Sequence, residues 1–169
     1  MTQLNSLCLI QARMESKRLP GKALLKLGDH SILEWVISRV QTSQKLSRMV
    51  LATTTRSADD PLCDLARALG IEVFRGEEDD VLARFAGAAQ KFPADVVVRV
   101  CADNPFVSGK EIDILISDFE ANPVDYHFNH RPDGTCDYPD GAGAELFSVE
   151  TLQKLSSSIS DKKMREHLT

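Results

Sequence analysis

Two short stretches of this 169-residue chain hold the residues best suited to chemistry. The first runs Gln11-Ala12-Arg13-Met14-Glu15-Ser16-Lys17-Arg18-Leu19-Pro20-Gly21-Lys22 and sets four basic side chains against the single acid Glu15, within a chain of net charge -5. Arginine offers phosphate oxygens a planar fork and lysine a compact point charge, so the loop reads as an anion site. Pro20 stiffens it, and Gly21 lets backbone come close to a ligand. From charge alone, a solvated basic loop is an equal reading. The second stretch, Ala102-Asp103-Asn104-Pro105, follows the β-branched run Asp95-Val96-Val97-Val98-Arg99-Val100-Cys101. Mg²⁺ takes oxygen ligands, usually one or two carboxylates completed by phosphates and water, and an aspartate at a rigid strand end can supply one. The plainer alternative is that Asp103 caps a turn.

Several other chemistries find no support. There is no G-x-x-x-x-G-K-[ST] and no G-x-G-x-x-G, which disfavours P-loop ATPases and dinucleotide-binding dehydrogenases. The acidic balance argues against general nucleic-acid binding, which needs a basic face. His127, His130, Asp133 and Cys136 match no standard zinc spacing. The acids Glu77 to Asp80 precede an apolar run and suit a helix dipole. Cys8, Cys63, Cys101 and Cys136 form no C-x-x-C pair, which points to a reducing compartment. The start MTQLNSLCLIQARM lacks the layout of a signal peptide, and no apolar run is long enough to span a bilayer. A cytoplasmic protein is expected.

The elements that must position these stretches alternate. Apolar runs at Leu7 to Ile10, Met49 to Thr54, Ile71 to Phe74 and Asp95 to Cys101 predict strands, with a shorter one near Tyr126 to Asn129 and an apolar return at Ala144 to Val149. Ser31 and Glu34 fit a capping box opening a helix through Val40, and Ser108 with Glu111 fits another through Phe119. Trp35, at helical spacing, is assigned to the core. A helix begins at Asp59-Asp60-Pro61 and stops at Gly70, another spans Asp80 to Lys91, and a last one begins near Val149. Strands separated by helices predict an α/β protein with a mostly parallel sheet and one domain. Ligands of such sheets bind beyond the carboxyl ends of the strands.

The order QARMESKRLPGKAL resembles the N-terminal signature of the cytidylyltransferases that make CMP-activated sugars, nearest the spore-coat polysaccharide (SpsF-like) branch. The resemblance continues through SILEWVISRV, VLATTTRSADDPL, LGIEVFRGEEDDVLARF, ADVVVRVCADNPFV, the YPDG at 138–141 and the closing REHLT. It implies a three-layer α/β/α, Rossmann-like nucleotidyltransferase (GT-A-like) fold and transfer of CMP from CTP to a sugar, with pyrophosphate leaving. It also implies that Arg13 and Lys22 hold the triphosphate with help from Arg18, and that Gln11, Ala12 and Gly21 belong to the same nucleotide loop. Thr53 and Arg75 would lie near base and ribose, and Asp103 would bind Mg²⁺.

Relatives commonly have Gly before the metal-binding aspartate, where this chain has Ala102. They also carry a further aspartate at the position of Gly143, for which Asp140 and Glu145 are candidate substitutes. They continue beyond an REHLT-like segment, so the chain is expected to lack a C-terminal portion. The implied partners are CTP and a sugar acceptor, a nonulosonic acid by analogy, and a homodimer stays open. Two rival readings remain: a nucleotide-sugar-dependent glycosyltransferase and a non-catalytic nucleotide-binding protein of the same pathway.

Overall fold

A computed structural model of the chain describes residues 4–16, 18–129 and 141–166. In chain order the elements are β1 (Ser6–Gln11), the hairpin β2 (Lys26–Leu27) and β3 (His30–Ser31), α1 (Ile32–Val40), β4 (Arg48–Thr54) and α2 (Asp60–Ala68). There follow β5 (Glu72–Gly76), α3 (Val81–Lys91), β6 (Val96–Cys101), α4 (Gly109–Ala121), β7 (Tyr126–Phe128), β8 (Glu145–Ser148), α5 (Val149–Ser158) and α6 (Lys162–Glu166). The main sheet has the order β5-β4-β1-β6-β8-β7. Its first four strands are parallel, and β8 and β7 add antiparallel.

Alternation along the strands sorts the core into two layers, because successive side chains leave opposite faces of a strand. Cys8, Ile10, Val98 and Val100 pack with the apolar faces of α1, α2 and α4. Leu7, Leu9, Val50 and Val97 meet Val81, Phe85 and Ala88 of α3 and Leu152 of α5. This is the three-layer α/β/α arrangement expected from the sequence. Both faces of β1 and β6 are covered, which is why those strands read as continuous apolar runs. Among the described residues, no helix is long and apolar enough to cross a membrane.

Local signals hold unevenly. The Ser31 box forms in full: the Glu34 amide donates to Ser31 Oγ at 3.2 Å, and the Ser31 amide donates to Glu34 Oε2 at 2.6 Å. Gly70 ends α2 at φ +74°, a left-handed conformation that favours glycine. The box expected at Ser108 does not form, as its side chain caps nothing. Tertiary packing sets the start of α4 instead: a Cβ on Gly109 would lie 2.3 Å from Ser43 N and 2.4 Å from Thr42 Oγ1. Trp35 is not in the core. It is half-buried, and its indole N–H donates to Leu27 O at 2.8 Å, tying α1 to the β2–β3 hairpin. That hairpin is too short to leave a periodic signal in the sequence.

Candidate functional site

The strand order locates a crevice before any side chain is considered. From β1 the chain moves outward through β4 to β5, then returns to place β6 on the other side of β1. The strand order thus reverses between β1 and β6, and the gap between their carboxyl ends at such a switch point is the usual ligand site of an open parallel sheet. A cavity of about 320 Å³ lies there. One wall is the loop after β1, with Gln11, Ala12, Arg13, Ser16, Arg18 and Lys22, and the other is Cys101 to Asp103 at the end of β6. Lys22 and Asp103 form an ion pair across the gap.

The basic loop is held by contacts from distant parts of the chain. Gly21 has φ +70° and donates its amide to Met14 O at 2.8 Å, closing the loop on itself. Its left-handed backbone is thus a second reason for glycine there, beyond access for a ligand. Asp59, only 2% exposed, anchors the base of the loop. It accepts from Met14 N at 2.7 Å, Thr54 N at 3.1 Å, Thr54 Oγ1 at 2.5 Å and Thr53 Oγ1 at 3.0 Å. Burial pushes the Asp59 carboxyl up, but those bonds outweigh it and hold it below its ordinary range.

A half-buried arginine and a buried one brace the walls. Arg99 of β6 donates from Nε to Gln11 Oε1 at 3.1 Å and from Nη1 to Glu145 Oε2 at 2.6 Å, across to β8. Arg84 of α3, 2% exposed, donates Nη1 to Glu77 O at 2.5 Å and fixes the turn after β5. Desolvation pushes its guanidinium down from the usual range, and the nearby Arg13 adds to the effect. Glu78, in the same turn, lies 3.9 Å from Arg13 Nη1 and 2.8 Å from Arg56 Nη1. Burial raises the Cys101 thiol, which keeps it protonated and unsuited to nucleophilic work.

Of the residues singled out from the sequence, Gln11, Ala12, Arg13, Arg18, Lys22 and Asp103 meet at the cavity. Gly21 shapes the loop between them. Thr53 and Arg75 stand back from the lining. Thr53 is fully buried with its hydroxyl given to Asp59, and Arg75 donates to Thr54 O, Arg56 O and Asp60. Glu145, a candidate substitute for the carboxylate absent at Gly143, is buried in its pair with Arg99. The Gly143 carbonyl accepts from Asn104 Nδ2 at 3.0 Å, which ties the approach to β8 to the loop carrying Asp103. Asp140, the zinc candidates His130, Asp133 and Cys136, and all of YPDG except Gly141 lie outside the described residues.

Asp59, Arg84 and Arg99 were not identified from the sequence. Arg99 did leave a signal, as a charge inside a run that otherwise reads as buried strand. Asp103 fits a divalent cation: it is an oxygen ligand beside a basic phosphate-type loop, and Mg²⁺ needs only one or two carboxylates where phosphates complete the shell. Among the described residues, no group of three or more acidic, histidine or cysteine side chains forms an all-protein metal cage.

A family model described as cytidylyltransferase matches residues 7–161. The chain belongs to the cytidylyltransferase family. Within it, the chain is 40% identical over 161 residues to the uncharacterized protein MJ1063 of Methanocaldococcus jannaschii, covering 95% of this chain and 64% of that protein. It is 33% identical over 168 residues to the spore coat polysaccharide biosynthesis protein SpsF of Bacillus subtilis, covering 96% and 68%. The solved structure of a cytidylyltransferase from Leptospira borgpetersenii superposes with a TM-score of 0.89 at 33% identity, covering 98% of this chain and 69% of that one. The chain thus spans about two thirds of the length of the curated relatives it matches. The family resemblance read from QARMESKRLPGK and its companion motifs holds.

Proposed function

We propose that this chain transfers CMP from CTP to a sugar hydroxyl, releasing pyrophosphate, in the synthesis of a surface polysaccharide or glycan. The observation that carries the reading is the meeting of Arg13, Arg18 and Lys22 with Asp103 in the crevice between β1 and β6 of a cytidylyltransferase-family chain. Arg13 and Lys22 hold the triphosphate, and Arg18 adds charge at the cavity wall. The acceptor oxygen forms a bond to the α-phosphorus, the bond to the bridging oxygen breaks, and its electron pair leaves with pyrophosphate. The hydroxyl proton passes to solvent.

Catalysis of this kind is positioning and electrostatic stabilisation, with no covalent intermediate required of the protein. Mg²⁺ held by Asp103 neutralises charge on the phosphate oxygens when bound. Lys22 exchanges its pairing with Asp103 for a phosphate as the nucleotide enters, leaving the carboxylate for the cation. Thr53 and Arg75 serve the site through the loops they fasten. The reaction belongs to the cytoplasm, where CTP is made, and a nonulosonic acid is the acceptor proposed by family analogy.

Calorimetric titration with CTP, ATP, GTP and UTP, with and without Mg²⁺, tests the nucleotide site. Pyrophosphate release from CTP over a panel of acceptor sugars tests the transfer. Selective CTP binding that Arg13→Ala weakens supports the reading. Release of a free nucleoside phosphate from a nucleotide-sugar, with no pyrophosphate formed from CTP, would replace it with glycosyl transfer.

A further inference from the structure

The last described helix reaches the cavity by a defined route. Arg165 of α6 donates Nε to Asp80 Oδ2 at 2.8 Å and Nη1 to Ser156 O at 2.8 Å and Ile159 O at 2.6 Å. Asp80 is also the N-cap of α3, accepting from Ala83 N at 2.8 Å through its other oxygen. One guanidinium therefore ties α6 to the start of α3 and the end of α5. The next residue, Glu166, lines the same cavity as Arg13, Arg18, Lys22 and Asp103. Among the described residues its side chain makes no ion pair or hydrogen bond.

A carboxylate in the wall of a polyanion site repels the ligand unless a cation lies between them. Lysine and arginine could neutralise it, but Lys22 is paired with Asp103, Arg13 faces Glu78, and among the described residues Arg18 makes no ion pair with Glu166 although both line the cavity. A hard divalent ion takes carboxylate and phosphate oxygens together, which turns the repulsion into a bridge. We infer that Glu166 is a second carboxylate ligand of the divalent cation that accompanies the triphosphate, and that Arg165 is its positioning residue. The inference rests on the nucleotide reading proposed above. It gives α6 a task in the site although it lies 63 residues along the chain from Asp103.

Mn²⁺ standing in for Mg²⁺ gives a readout independent of turnover, since free Mn²⁺ is counted by its electron paramagnetic resonance signal. Wild type, Glu166→Gln, Arg165→Ala and the control Glu150→Gln, exposed on α5, are titrated with Mn²⁺ at saturating CTP. Metal-free CTP affinity is measured separately in chelator. We expect Glu166→Gln and Arg165→Ala to weaken Mn²⁺ binding by at least about tenfold, the loss that removing even an outer-shell partner brings. Metal-free CTP affinity of Glu166→Gln should be unchanged or tighter, and Glu150→Gln should match wild type. Mn²⁺ affinity of Glu166→Gln within about twofold of wild type, well short of the loss a ligand's removal gives, overturns the inference. That holds whether CTP then binds more tightly, which would make Glu166 a mere repellent, or the acceptor KM rises, which would make it a sugar contact. Wild type that fails to bind CTP both with and without the divalent ion sinks the nucleotide reading itself, and this inference with it.

Discussion

Asp59 should be among the costliest single residues to lose, although it touches no expected ligand. Asp59→Ala removes the acceptor of two backbone amides, Met14 and Thr54, and of the Thr53 and Thr54 hydroxyls. The hydroxyls can rotate to other partners, but the amides cannot. Each stranded amide costs about 1–3 kcal/mol, so the loss should be about 4 kcal/mol, a large share of a domain's ~5–15 kcal/mol. Asp59→Asn keeps one acceptor oxygen and turns a donor towards donors, for a loss of about 2 kcal/mol.

The sign of the pH dependence follows from the depressed carboxyl. Its stabilisation is fully present above the unfolded-state pKa of about 3.9 and is lost as pH falls through the lower folded-state value. The gap between wild type and Asp59→Asn should therefore be widest at neutral pH and narrow below about pH 4. Urea unfolding followed by circular dichroism, with unchanged m-values, measures both effects. A loss below about 1 kcal/mol for Asp59→Ala, or a gap that does not close in acid, would refute the reasoning. Because Met14 is freed along with the threonines, CTP affinity should fall in the same variants.

Four further outcomes are expected. Lys22→Ala should weaken CTP binding by about 10- to 100-fold in calorimetry, the value of one charge-assisted bond to phosphate, while leaving the thermal melt nearly unmoved. Arg99→Ala breaks the buried pair with Glu145 and should cost about 3–5 kcal/mol in urea unfolding, whereas Arg99→Leu with Glu145→Leu should recover most of it. Gly109→Ala drives a Cβ into the backbone of Ser43 and should cost at least about 1–3 kcal/mol by the same measurement. Gly87→Ala meets only the tip of the Phe74 ring at 2.9 Å, and with a helix-propensity gain of up to ~1 kcal/mol should be close to neutral.

What the sequence determined by itself was whatever depends on near neighbours or on pattern. The Ser31–Glu34 box, the Gly70 stop and the strand at β6 are set within a few residues, and each forms as read. The basic loop and Asp103 were legible because strand-to-loop order alone puts both at the carboxyl edge of a parallel sheet. The family followed from several such motifs in register.

Tertiary structure decided the rest, because the partners lie far apart along the chain. Asp59 meets Met14 across 45 residues, Arg99 meets Glu145 across 46, and Arg165 meets Asp80 across 85. The same holds where local signals failed. Ser108 lost its box because Gly109 docks against Thr42 and Ser43, and Trp35 left the core because its indole N–H found Leu27 O. Which carboxylates face the cavity is likewise a matter of packing: Glu145 is committed to Arg99, whereas Glu166 is carried in by Arg165. A charged side chain's role depends on which surfaces exclude water around it and which opposite charge lies within reach, and only the folded chain fixes either.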